Sequence, residues 1–222
     1  NIFINFAPSD VSLIINKISI FQKIIRFSKT LRFIQMEFEE VIKKRTSIRK
    51  YAQKKPDIEL AIAAIEIAHI APTPGNLDML RYLIVEDKEK ISEIAEAAQQ
   101  PFINQASLLV VITSDAKQVE KMYDKRAEKY IRQHAGAAIE NFLLAITDMG
   151  LASCWIGAFS DFQVHKILHI PENITIEAIL PVAYEYKKDH TIQRKRLSLD
   201  RKIFFEEYGN VYKIKTTQVR RT

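Results

Sequence analysis

Helices laid on a compact sheet, without strict alternation of strand and helix, are what this chain predicts: an α+β fold. Residues 57–70, 88–99 and 117–149 read as helix, while residues 107–113 and 174–184 are apolar runs of strand character. These segments do not follow one another in the order that builds a parallel sheet with crossover helices.

The first element is a short amphipathic run at residues 38–42. In 57–70, Ile58, Ala61, Ile62, Ile65, Ile67 and Ala68 mark an apolar side, Asp57 stands as N-cap after Pro56, and Glu59 falls in the first turn. Residues 82–85 form a short strand. Residues 88–99 form an amphipathic helix with Ile91, Ile94, Ala95 and Ala98 inward. The unbroken SLLVVIT at 107–113 suits a strand covered on both faces. The longest helix is expected over 117–149, stopped by Gly150. Its first part is highly charged and the part from Ala135 is Ala-rich and apolar, so that half is expected to be buried. Residues 153–156 and 174–184 read as strands with a helix at 162–168 between them; Pro181 requires an edge or bulge position. Residues 211–215 alternate apolar and polar, as an added strand would. The chain has no internal repeat, low-complexity block or Gly/Ser linker.

A chain of 222 residues with 47% hydrophobic content can bury a full core in one domain. Its net charge of +6 invites a nucleic-acid reading until the charge is located. Residues 1–35 carry +4 and residues 213–222 carry +4, leaving −2 for residues 36–212. A basic footprint for nucleic acid belongs on the folded surface, so no nucleic-acid partner is expected. The domain is therefore expected at 36–212, with 213–222 as a basic tail. Residues 1–35 leave three readings open: an upstream stretch with Met36 as the true start, an accessory amphipathic helix, or a membrane-surface anchor. No run has the length of a membrane-spanning helix and no uninterrupted apolar signal core appears. The cytoplasm, without stable membrane association, is the expected location.

Cys154 is the single cysteine, so no intrachain disulfide or cysteine-cluster metal site can form. Among apolar neighbours it reads as a buried thiol. His165 and His169 have a ligand-like spacing on a helix, but no carboxylate joins them in a motif; surface or capping roles explain them, and no metal site is expected. His134 reads as structural. The five glycines never fall as G-x-G, which excludes both a Rossmann fingerprint and a Walker loop. Any phosphate must then be held by side chains.

One segment suits that task. In Lys43-Lys44-Arg45-Thr46-Ser47-Ile48-Arg49-Lys50-Tyr51, residues Arg45, Ser47 and Arg49 alternate, and on extended backbone they would point the same way. Two guanidiniums offer forked charge-assisted donors and the serine adds a neutral one. A solvated helix C-terminus carries similar basic clusters. Three further segments separate the two readings: Ala71-Pro72-Thr73-Pro74-Gly75-Asn76, Gly150 running on through Leu151 to Trp155-Ile156-Gly157, and Arg194-Lys195-Arg196. In this order and at these separations, over roughly residues 36–212, they resemble the FMN-dependent nitroreductase family.

The resemblance implies a mostly antiparallel central sheet flanked by helices, and an intertwined homodimer with two FMN sites at its interface. It places the cofactor phosphate on Arg45, Thr46, Ser47 and Arg49 together with Arg194 and Arg196. Pro72, Thr73 and Asn76 would meet the ribityl chain and ring edge, often across the dimer interface. The turn Trp155, Ile156, Gly157 and Ala158 would aim backbone N–H groups at the flavin N5 and O4. The implied activity is electron transfer from NAD(P)H through FMN to a nitroaromatic, a quinone or a similar small oxidised acceptor, in two ping-pong steps. The cofactor carries the chemistry, so no catalytic side chain is assigned. The alternatives are a non-catalytic FMN carrier or sensor, or a flavin-destroying or reductive-dehalogenating enzyme of the same fold. One departure stands out: the family commonly continues N-x-Q-P-W, whereas this chain reads Asn76-Leu77-Asp78-Met79-Leu80. An ionised Asp78 can accept a hydrogen bond but not donate one.

Overall fold

A computed structural model of the chain describes residues 36–186 and 198–211. The chain divides into two units, residues 1–187 and 188–222. The first carries α1 (Phe38–Lys44), α2 (Ile58–His69), β1 (Leu80–Val85), α3 (Lys88–Ala97), β2 (Leu108–Asp115), α4 (Lys117–Tyr123), α5 (Ala127–Asp148), α6 (Asp161–Leu168) and β3 (Ile174–Val182). Short 3-10 turns lie at Pro74–Asn76, Pro101–Gln105 and Asp124–Arg126. The strands form one antiparallel sheet in the order β1-β2-β3. The fold is α+β with helices flanking an antiparallel sheet, as the sequence predicts.

Both faces of the sheet are covered, which is why β2 is apolar without alternation. Leu108, Val110 and Ile112 face α2 and α5 with Ala64, Ala138 and Phe142. Leu109 and Val111 face the other way, toward Ile94, Ile103 and Val164. On β3, Ala178, Leu180 and Val182 join the first core and Ile179 the second. Ile176 also joins the second, because the ladder slips between Ile112 and Thr113 and leaves Glu177 as an extra residue. The bulge turns Glu177 toward α5, where Arg132 Nη1 meets its carboxylate at 2.6 Å and the Ser114 hydroxyl donates to it.

Pro181 lies within β3, at the edge of the sheet. Ile179 and Ala183, two residues to either side, donate outward to Ile156 and Ala152 at 3.0 and 3.2 Å. Pro181 shares their orientation, so its missing N–H falls in the gap between these two bonds and breaks no ladder. The expected strand at 153–156 is instead a pair of isolated bridges, Ala152 with Ala183 and Ile156 with Ile179. Between them the Ser153 carbonyl turns to accept from Ile48 N–H at 3.0 Å. The segment therefore meets β3 only at these two points.

The helix expected over 117–149 is two helices. Asp124, with φ at 46°, breaks it, and α5 begins at Ala127. Val119 is the buried residue of α4, so little packing holds that charged part in line with α5. Gly150 stops α5 as predicted. With φ at 71°, its N–H donates to Thr147 and that of Leu151 to Ile146, a Schellman closure. Asp57 stands at the N-cap of α2, but its side chain makes no capping bond.

In the second unit, Leu199–Arg201 form a 3-10 turn, Phe204 bridges Val211, and the Phe204 and Tyr208 rings lie 4.8 Å apart. Of the strand predicted at 211–215, only Val211 falls within the described residues.

Two glycines differ in what fixes them. Gly75 has φ at 56°, and a Cβ there would lie 2.5 Å from the Tyr123 hydroxyl; Gly150 is left-handed too but faces open space. Gly150→Ala is expected to cost about 1 kcal/mol from backbone strain alone, and Gly75→Ala about 2 to 3 kcal/mol because overpacking adds to the strain. Equal shifts in the urea midpoint would contradict this. His134, only 3% exposed, supplies a second prediction. Burial lowers its pKa below 6.5, nearby His69 adds to the effect and Asp78 opposes it. As pH falls below about 6.5 the unfolded chain takes the proton first, so stability drops. Between about pH 7.5 and 5.5 the parent should lose more thermal stability than His134→Gln; identical pH dependence in both would refute it.

Candidate functional site

The arm at residues 45–49 begins where α1 stops. The Arg45 N–H still donates to Val41 at 2.8 Å, but its ψ of 117° turns the chain out of the helix. Ile48 and Tyr51 are buried, at 6% and 2% exposure, and the Tyr51 hydroxyl donates to the Ile48 carbonyl at 2.7 Å. Gln105 Oε1 accepts from Tyr51 N–H, and Ala52 N–H donates to Tyr184. The Ile48 N–H donates to the Ser153 carbonyl at 3.0 Å, which ties the arm to the residue before Cys154. The Cys154 thiol is buried and donates to the Trp155 carbonyl at 3.8 Å. Burial pushes its pKa up against the opposing pull of Arg49, Ser47 and Arg45, so the thiol stays neutral. Arg45 Nε lies 3.1 Å from Glu140 Oε1 of α5, with its side chain 16% exposed. The Arg49 guanidinium stands 6.0 Å from the centre of the Phe102 ring. Thr46 is half-buried within the same arm.

Directly after Cys154 comes the turn 155–158. Ile156 exchanges two bonds with Ile179, at 3.1 and 3.0 Å, and its side chain is buried. Its N–H and carbonyl are therefore both engaged, and Ile156 acts as the anchor of the turn. Gly157 and Ala158 are exposed, and no atom lies within 4 Å of where a Gly157 Cβ would stand. Gln100 Nε2 donates to the Ala158 carbonyl at 3.2 Å and Ser160 N–H to Ala97, tying the turn to the end of α3. Trp155 is 42% exposed, and its ring lies 3.9 Å from a Cβ built on Gly136.

Pro72, Thr73 and Asn76 lie along another flank of α5. With Pro74, Tyr130, Gln133 and His134, the first two line a pocket of about 240 Å³. Asn76 is exposed with φ at 58°. His134 Nδ1 is buried without a hydrogen-bond partner among the described residues. The Asp78 carboxylate accepts from Leu80 N–H at 3.3 Å and faces His69 Nδ1 at 3.3 Å, so it turns back onto its own chain. Arg194 and Arg196 lie outside the described residues.

The structure thus joins the arm bearing Arg45, Ser47 and Arg49 to the segment that enters the 155–158 turn through the Ile48–Ser153 bond. Two forked cations and a hydroxyl are donors of the kind a phosphate monoester takes, and open space over Gly157 suits a planar ring close to backbone. Sequence reasoning missed Glu140, although it is the single acid between Ala135 and Thr147. It also missed the pocket wall of Tyr130 and Gln133, which became visible only once α5 was placed against the 72–74 loop. His165 Nδ1 lies 3.1 Å from the Ile170 carbonyl and His169 is the left-handed C-cap of α6. Among the described residues no group of three potential ligands could hold a metal ion, and no helix is long and apolar enough to cross a membrane.

Comparison with known proteins identifies the family of the chain. The family model described as the nitroreductase family matches residues 42–100 and 94–184. A protein of Archaeoglobus fulgidus, provisionally named NADH dehydrogenase/NAD(P)H nitroreductase, is 29% identical over 168 residues, covering 73% of this chain and 94% of the relative. The iodotyrosine deiodinase of Thermotoga neapolitana is 26% identical over 171 residues, 65% of this chain and 87% of its own. Among solved structures, a nitroreductase family protein from Clostridium novyi NT superimposes with a TM-score of 0.64 at 25% identity, covering 80% of this chain and 97% of the other. With the family model spanning well over half of the sequence, the chain belongs to the nitroreductase family of oxidoreductases.

Proposed function

We propose that the protein is an FMN-dependent oxidoreductase that passes electrons from NAD(P)H to a nitroaromatic, a quinone or a similar small oxidised acceptor. The observation that carries this reading is the bond from Ile48 N–H to the Ser153 carbonyl, which sets the arm bearing Arg45, Ser47 and Arg49 beside the segment that enters the 155–158 turn. Arg45, Ser47 and Arg49, with Thr46 beside them, would hold the cofactor phosphate. Gly157 and Ala158 would present backbone to the ring, with Ile156 and Gln100 keeping the turn rigid. When bound, FMN supplies the capacity to accept a hydride equivalent from NAD(P)H and return the electron pair to a second substrate, in ping-pong order. The side chains orient and hold; none is needed as an acid or base.

A homodimer completes this site. On α5 the partly buried stripe Gly136, Ala137, Glu140, Asn141 and Leu144 is flanked on one side by Arg45 and Trp155 and on the other by the 72–74 loop. Two copies packed along this stripe would bring Pro72, Thr73 and Asn76 of one beside the 45–49 arm and 155–158 turn of the other. The protein works in the cytoplasm on this reading, with no nucleic-acid or stable membrane partner. A second reading, reductive dehalogenation of an aromatic, is favoured by the likeness to the deiodinase.

Anaerobic titration with NADH and NADPH tests the proposal. The flavin band of the FMN-loaded protein should bleach and recover when a quinone or nitroaromatic is added, with parallel lines in initial-rate plots. Recovery with a halotyrosine alone would favour the second reading. Protein that stays yellow under both nicotinamides would overturn turnover in favour of a flavin carrier or sensor.

A further inference from the structure

We infer that Glu140 is a built-in counter-ion that tunes the affinity of the arginine site for the FMN phosphate; this rests on the phosphate assignment proposed above. Its carboxylate meets Arg45 through Nε at 3.1 Å, and its side chain is 47% exposed against 16% for the arginine. It comes from α5, a different element from the arm, and it stands one helical turn beyond Gly136, where the Trp155 ring packs. The acid therefore faces the junction between the arm and the 155–158 turn.

Two consequences follow from this placement. First, the contact is made through Nε, so Glu140 constrains the plane in which the Arg45 guanidinium would meet a phosphate. Second, a phosphate arriving on the same guanidinium lies close to a carboxylate of like sign, and the two anions repel. Cys154 does not relieve this: burial keeps the thiol neutral, so it adds neither charge to the balance. The orienting hydrogen bond survives if the acid becomes an amide, whereas the repulsion does not. Removing the charge while keeping the bond should therefore tighten FMN binding. The acid holds the cation in place in the empty site and keeps the bound cofactor exchangeable.

The substitution that separates these effects is Glu140→Gln, at a position exposed enough to tolerate it. Dissociation constants are measured by flavin fluorescence for FMN and riboflavin, on the parent, Glu140→Gln and Arg45→Ala. Glu140→Gln is expected to bind FMN about tenfold tighter and riboflavin unchanged. The difference should shrink as salt rises from about 0.05 to about 0.5 M. Inorganic phosphate should compete with FMN at lower concentration in this variant. Arg45→Ala should weaken FMN roughly 30- to 1000-fold and leave riboflavin nearly unaffected. If Arg45→Ala weakens FMN but Glu140→Gln leaves it unchanged or weaker, the counter-ion role is overturned and the phosphate assignment stands. Equal tightening of FMN and riboflavin overturns it as well, since a structural effect would then suffice. If Arg45→Ala binds FMN as the parent does, the phosphate assignment itself falls and the counter-ion role falls with it.

Discussion

The N–H of Ile48 donates to the carbonyl of Ser153, joining the segment after α1 to the one that follows α5, the longest helix among the described residues. This bond fixes how far the basic arm stands from the 155–158 turn, and the burial of Ile48 fixes which side chains point where. An isolated backbone bond contributes only about 0.5–1.5 kcal/mol net, too little to hold a flexible arm. The bond persists because Ile48 and Tyr51 are both buried in the core beneath β2, where each apolar side chain adds about 1.5–3 kcal/mol. Without that anchoring, Arg45 and Arg49 would be solvated charges at the end of a short helix. With it, Arg45 meets Glu140 and Arg49 stands over the Phe102 ring.

The electrostatics of the arm are set by what stays neutral and what does not. Burial keeps the Cys154 thiol protonated against the pull of Arg49, Ser47 and Arg45, while Glu140 meets Arg45 Nε at 3.1 Å. The adjoining turn is made stiff for a related reason. Ile156 is bonded on both sides to β3 and Ala158 is held by Gln100, so Gly157 stays open without being loose. Rigid backbone near open space is what a ring cofactor needs from a protein whose side chains do no chemistry.

Much of this was legible in the residues, and the exceptions have physical causes. The apolar run of β2 announced a doubly covered strand because both cores need every position, and Gly150 announced the end of α5 because a left-handed residue was required there. The break at Asp124 was hidden because it depends on packing remote in sequence: Val119 is the buried residue of α4, and Tyr123 meets the Tyr130 ring edge-on at 5.0 Å beside Gly75. Residues 153–156 look like a strand because they alternate between partners on either side, a fact about Ile48 and β3 that local pattern cannot contain. In the site, the alternation of Arg45, Ser47 and Arg49 and the burial of Cys154 were readable; the Ile48–Ser153 bond and the acid that answers Arg45 were not, because both join elements distant in sequence. His134 was readable as structural, yet its place in the wall of a pocket depends on where the 72–74 loop lies.

The central claim is that the arm and the turn form one site. Hydrogen–deuterium exchange tests it most directly, with peptides covering residues 45–51 and 152–158 followed as FMN is added. Both segments should gain protection together and over the same range of FMN concentration, while riboflavin should protect the turn more than the arm. Protection of one segment without the other at saturating FMN, or of neither, would contradict it.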